Sequence, residues 1–153
     1  MFNLIVCVLL CLSAGSLGSI ATMASVQSWY PSLNKPDWTP PAAWFGPVWT
    51  ILYILMGIAL WLIWESDSGP ARTQAIWIFG VQLILNSIWS FLFFGLKSPL
   101  FGLVGIILLD VAVLLTIWKF MQIRVPAGLL LIPYLAWILF ASVLNFSIFQ
   151  MNQ

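Results

Sequence analysis

Five runs of about 20 residues, approximately 4–24, 43–64, 75–96, 99–118 and 127–149, carry between them a single charged side chain. Twenty apolar residues in a helix span the roughly 30 Å hydrocarbon core of a bilayer. The remaining charges lie between the runs: Lys35 and Asp37, then Glu65, Asp67 and Arg72, then Lys97, then Lys119 and Arg124. With 63% hydrophobic residues and 6% charged, against roughly a quarter charged in an ordinary soluble domain, a chain of 153 residues cannot bury its apolar surface in water. The prediction is an all-α integral membrane protein, one domain over 1–153, built as a bundle of five transmembrane helices.

The first run resembles a secretory signal only superficially. The start MFN has no positive charge, and Leu10 precedes Cys11 where a lipoprotein cleavage site wants a small residue, so the first helix is expected to be retained. Ala14 with Gly18 and Gly15 with Ser19 make small-xxx-small pairs, suited to close packing within the bundle or in a dimer. Five spans place Arg72, Lys119 and Arg124 on the N-terminal side and Lys35 and Lys97 on the other, a narrow preference for a cytoplasmic N-terminus.

Several chemistries are excluded. A net charge of +1 with no basic stripe offers nothing to neutralise nucleic-acid phosphates. The chain has no histidine, and its two cysteines, Cys7 and Cys11, sit one helical turn apart inside a span, which fits apolar filling rather than a zinc site or disulfide scaffold. No nucleophile–base set, phosphate loop or pair of membrane carboxylates is present. No cofactor or metal is expected to be required.

The link between the first two spans is unusual. Residues 25–42, SVQSWYPSLNKPDWTPPA, contain Pro31, Pro36, Pro40 and Pro41, which forbid a continuous helix and bias the residue before each toward extended backbone. Two readings fit Trp29, Tyr30 and Trp38: an interfacial aromatic belt, or a stiff lid folded back over the mouth of the bundle, preorganised by its prolines. The other links are short, so consecutive helices are expected to be antiparallel neighbours.

Helical spacing aligns Trp49, Tyr53, Gly57, Leu60 and Trp64 in the second span. It does the same for Gln82, Asn86, Trp89, Ser90 and Phe93 in the third, and for Tyr134, Trp137, Ala141, Leu144 and Asn145 in the fifth. Such stripes are either core or the walls of a flat, apolar, sparsely polar pocket. In the second case indole N–H groups, and Lys35 at the mouth, would meet carboxylates on the ligand. Gln82, Asn86, Asn145 and Asp110 are expected to face the bundle interior, as interhelical glue or as site residues. Asp110 is the sharpest case, because an aspartate at the centre of a transmembrane helix costs on the order of 2.5 to 3.5 kcal/mol and needs a partner, a cavity or a proton.

The stretch WYPSLNKPDWTPPAAWFGPVWTILY at 29–53, QLILNSIWSFLFFG at 82–95, the lone Asp110 and IPYLAWILFASVLNF at 132–146 together resemble the translocator protein family, the TspO or tryptophan-rich sensory proteins related to the mitochondrial peripheral benzodiazepine receptor. The resemblance covers nearly the whole chain. It implies a five-helix bundle, often dimeric, with a ligand pocket under the long first loop. It also implies porphyrins such as protoporphyrin IX, or haem, as ligands, with benzodiazepine-type drugs and, in animal members, sterols as others. Carried over by position, the pocket residues are Trp38, Trp49, Tyr53, Asn86, Trp89, Tyr134, Trp137, Ala141 and Leu144. The proposed sterol motif of animal members is not matched, since Phe146 and Gln150 stand where it carries a tyrosine and a basic residue. This favours a bacterial-type porphyrin binder in a cell membrane, acting in sensing, transport or stress-linked tetrapyrrole regulation. Two alternatives remain: a light-dependent porphyrin-degrading enzyme, with Trp29 and Trp137 as photochemical residues, and a proton-linked exporter of hydrophobic ligands that uses Asp110.

Overall fold

The structure is a computed structural model and describes residues 2–153. All its regular elements are helical. The membrane-length helices are α1 (Phe2–Val26), α2 (Phe45–Trp64), α3 (Pro70–Ser90) and α4 (Pro99–Ile123); a short α5 (Val125–Leu129) followed by α6 (Ile132–Met151) makes the fifth span. All five are long and apolar enough to cross a membrane. Around the bundle α1 packs on α2 and α3, α3 on α4, and α4 on α6, whereas α2 and α6 touch sparingly.

Two helices depart from the continuous spans expected. The fifth span pauses at Leu130 and Leu131. Pro133 has no N–H, and its ring excludes the carbonyl four residues earlier from the helical ladder. The end of the third span widens into a π turn over Phe91–Gly95, where the Leu96 amide donates to the Phe91 carbonyl at 2.8 Å. The wider turn buries the adjacent Phe93 and Phe94 together, with ring centroids 4.8 Å apart. The next helix begins with Ser98 accepting from the Phe101 amide and Pro99 in the first turn, both favourable at a helix start.

The helix α1 is held by small residues. A Cβ added to Gly57 would lie 2.5 Å from the Val8 Cα, and one added to Gly15 would lie 2.2 Å from the Tyr53 ring. Backbone and ring occupy the space a side chain would need, so α1 and α2 approach closely along this half of their length. Gly18 faces Ser90 of α3, so both small-xxx-small pairs place their glycines inside the bundle.

The Pro/Trp-rich link folds back over one end of the bundle. Tyr30 is buried against Phe93 and Phe94, at 6.3 and 5.7 Å between centroids, and Trp29 meets Phe93 edge-on at 5.6 Å. Its far part is fastened to the end of α6, where Asn34 and Asn152 exchange hydrogen bonds. The Lys35 ammonium donates to the carbonyls of Tyr30, Leu33 and Pro31 and lies 5.0 Å from the Tyr30 ring.

Candidate functional site

Beneath this loop lies a cavity of about 400 Å³, within the size range of small-molecule sites. Its walls come from α1, α2, the end of α3 and α6. Most of its lining on α1 and α2 lies on the loop side of the close contacts at Gly15 and Gly57, and α2 and α6 make few contacts.

Trp49 is the centre of the aromatic wall. It stacks on Tyr53 at 5.6 Å, one helical turn away, and lies 6.1 Å from Trp89 and 6.2 Å from Tyr134. Trp137 faces the cavity from α6, with Phe45 edge-on at 6.3 Å. Of the residues the sequence suggested, Trp49, Tyr53, Trp89, Trp137 and Ala141 line the cavity.

The others lie around it. Asn86 and Tyr134 are buried below Tyr53 in a hydrogen-bonded chain: the Tyr53 hydroxyl donates to Asn86 Oδ1, Asn86 Nδ2 to the Tyr134 hydroxyl at 3.0 Å, and that hydroxyl to Gln82 Oε1 at 3.1 Å. This chain satisfies polar groups that would otherwise be orphaned in the core, and it fixes the orientation of Tyr53. Leu144 is buried in the cluster of Trp89, Phe93 and Ile106. Trp38 sits in the loop, half-exposed, edge-on to Phe140 at 5.7 Å, and Phe140 in turn packs on Trp137. Trp29 packs on Phe93 away from the cavity.

Asp110 is outside the cavity wall. It lies between α4 and α6, where Ser142 Oγ donates to its Oδ2 at 2.7 Å and its Oδ1 is buried without a hydrogen-bond partner among the described residues. Lys35, expected at the mouth to meet a carboxylate, points its ammonium into the loop's own carbonyls. Among the described residues no charged side chain lines the cavity. Outside the spans, burial pushes the Tyr30 phenol up to about 12.

Sequence reasoning missed the α1 wall. Gly15, Ser16, Ser19, Thr22 and Met23 line the cavity, opposite Gly46 and Thr50 of α2. The available signal was the three-residue spacing of Ser13, Ser16, Ser19 and Thr22 in an otherwise apolar span, a periodicity that puts hydroxyls on neighbouring turns.

Residues 7–151 match the profile of the TspO/MBR family. The chain is 50% identical to the tryptophan-rich protein TspO of Archaeoglobus fulgidus over 98% of this chain and 97% of that protein. It is 45% identical to the tryptophan-rich protein TspO of Chlorobaculum tepidum, covering 98% and 96%, and 37% identical to the translocator protein of Bos taurus, covering 91% and 83%. With five membrane-length helices and this match along nearly its full length, the chain is a multi-pass integral membrane protein of the TspO/MBR family.

Proposed function

We propose that the protein binds porphyrin-type tetrapyrroles, such as protoporphyrin IX or haem, in the cavity under the 27–41 loop, and that this binding serves tetrapyrrole sensing or movement in a bacterial-type cell membrane. The observation that carries this reading is the convergence of Trp49, Trp89 and Trp137 on one cavity whose lining is otherwise apolar or hydroxylic. Indole faces suit a large planar ring, and offset or edge contacts add about 0.5–1.5 kcal/mol each beyond the burial of area. With no cation on the wall among the described residues, the ligand's carboxylates stay at the cavity rim or outside it, and the macrocycle makes the contacts. Names of relatives are in keeping with such roles: a tryptophan-rich sensory protein in Cereibacter sphaeroides, and translocator proteins in mammals.

The test is a titration of the detergent-purified protein with protoporphyrin IX in the dark, followed by tryptophan fluorescence. Saturable quenching is expected, with Trp137→Ala weakening affinity about tenfold, the equivalent of roughly 1.4 kcal/mol. Unchanged affinity in Trp137→Ala would place the ligand elsewhere. Illuminating the saturated complex then separates binding from degradation: Trp137 is the photochemical candidate that touches the cavity, and repeated turnover to a defined product would make the protein an enzyme.

A further inference from the structure

We propose that the cavity opens sideways into the bilayer, through a mouth between the loop-side halves of α1 and α2, and that ligands enter and leave by this route while the loop stays closed. Ser16, Ser19 and Met23 of α1 and Gly46 and Thr50 of α2 line the cavity and are exposed, which an enclosed cavity would not allow. A residue with both properties marks a mouth. The lower lip is shut where Gly15 meets the Tyr53 ring and Gly57 meets Val8. Ser19 and Ser16 lie seven and ten residues from the loop-side end of α1, about 10 to 15 Å down a helix rising about 1.5 Å per residue. That depth is within the hydrocarbon region.

The route through the loop is closed by comparison. Tyr30 is buried on Phe93 and Phe94, Trp38 covers Phe140, Phe45 lies edge-on to Trp137, and Asn34 is tied to Asn152. The loop is therefore a fixed roof, and the side between α1 and α2 is the open one.

The chemistry of the mouth selects what passes. Ser16 Oγ donates to the Leu12 carbonyl at 2.9 Å, Ser19 Oγ to Ser16 at 2.7 Å, Thr22 Oγ1 to Gly18 at 3.1 Å and Thr50 Oγ1 to Gly46 at 2.9 Å. Each hydroxyl proton is spent on its own helix, so each oxygen presents only lone pairs. The wall accepts hydrogen bonds and bears no positive charge. It suits a lipid-dissolved molecule with a flat apolar body, whose anionic groups remain at the membrane surface as it passes. The ligand class rests on the binding reading above; the position of the mouth does not.

The experiment uses the full chain in liposomes and two blocks. Asn34→Cys with Asn152→Cys, oxidised to a disulfide, locks the roof. Gly46→Trp plugs the mouth, at a position where an added Cβ meets no atom within 4 Å. The porphyrin-independent readout is Thr22→Cys, half-buried on the cavity wall, labelled with a membrane-partitioning maleimide; the buried Cys7 and Cys11 of the parent protein set the blank. Labelling is expected to slow about tenfold with Gly46→Trp and to change less than twofold when the roof is locked. Protoporphyrin IX association and dissociation should follow the same pattern. Labelling that stops on locking the roof and ignores Gly46→Trp would overturn the lateral mouth. If Gly46→Trp does not fold, the locked roof alone decides between the two routes. Absence of porphyrin binding alongside the expected labelling would overturn only the ligand reading.

Discussion

The Asn34 amide donates to Asn152 Oδ1 at 3.0 Å, and Asn152 Nδ2 returns a hydrogen bond to the Asn34 carbonyl at 2.8 Å, joining positions 118 residues apart in the sequence. Asn152 Nδ2 also reaches the Ile148 carbonyl, and Asn34 Nδ2 the Met151 carbonyl. The last turn of α6 thus fastens the middle of the long loop. Three of these bonds cross from the loop to α6; at a net worth of roughly 0.5–1.5 kcal/mol each they oppose the local tendency of a proline-rich link to extend into water. Asn152→Ala removes two of the three. Hydrogen exchange at residues 32–39 is expected to accelerate at least tenfold, while the bundle's melting temperature moves by only a few degrees. Unchanged exchange would mean that Tyr30 and Trp38 hold the loop without the clamp.

The contact between Gly57 and Val8 bears on the cavity as a whole. Any side chain at Gly57 must displace the α1 backbone, since the nearest atom is the Val8 Cα. Overpacking of this kind costs typically 1–3 kcal/mol, and it would also tilt α1 away from α2. Gly57→Val is expected to lower the thermal midpoint in detergent and to weaken ligand binding about tenfold, although Gly57 is not on the cavity wall. Gly46→Ala, where a Cβ meets open space, is the matched control and should leave the midpoint within a degree or two.

Much of this arrangement is legible in the sequence, and the illegible parts have physical causes. Span number and approximate bounds follow from the spacing of charges, because lipid tolerates so few. The inward direction of Asn86, Gln82 and Asn145 follows from the same penalty, and all three are buried. The convergence of Trp49, Trp89 and Trp137 is visible as stripes at helical spacing, but stripes alone cannot separate core from cavity. That separation depends on tertiary placement: the cavity lining lies mostly on the loop side of the close α1–α2 contacts at Gly15 and Gly57, and no spacing in either helix names its partner. The π turn at Phe91–Gly95 has no reliable sequence signal. The α1 hydroxyls pass for ordinary span composition because serine and threonine can satisfy themselves on their own helix, as these do.

Tyr30 supplies a pH dependence. Burial pushes its phenol up to about 12, from an ordinary value near 10. The neutral form is favoured in the folded loop, so its contribution is complete below about pH 10 and is lost as the pH rises through about 12. The loop is expected to loosen across that window, which stopped-flow acrylamide quenching of the loop tryptophans Trp29 and Trp38 after a pH jump would report as an acceleration. Tyr30→Phe keeps the ring between Phe93 and Phe94 without an ionisable group, so the acceleration should be absent. An identical acceleration in Tyr30→Phe would assign the transition to another group.

Asp110 is the ionisable carboxyl within the spans, and its position separates binding from any proton-linked export. It sits between α4 and α6, with Ser142 on one oxygen and no partner among the described residues on the other, and it contributes nothing to the cavity wall. Asp110→Asn retains an oxygen to accept from Ser142 while removing the ionisable group. Porphyrin affinity is therefore expected to stay within about twofold of the parent. Thermal stability should be equal or higher, because a neutral amide costs less to bury than an ionisable carboxyl at the centre of a span. In liposomes under a proton gradient the same variant tests transport directly: ligand flux that persists in Asp110→Asn rules this carboxyl out of the coupling. Flux that disappears while binding and stability are retained would give Asp110 a transport role at a distance from the cavity, with the α4–α6 contact as the element that moves.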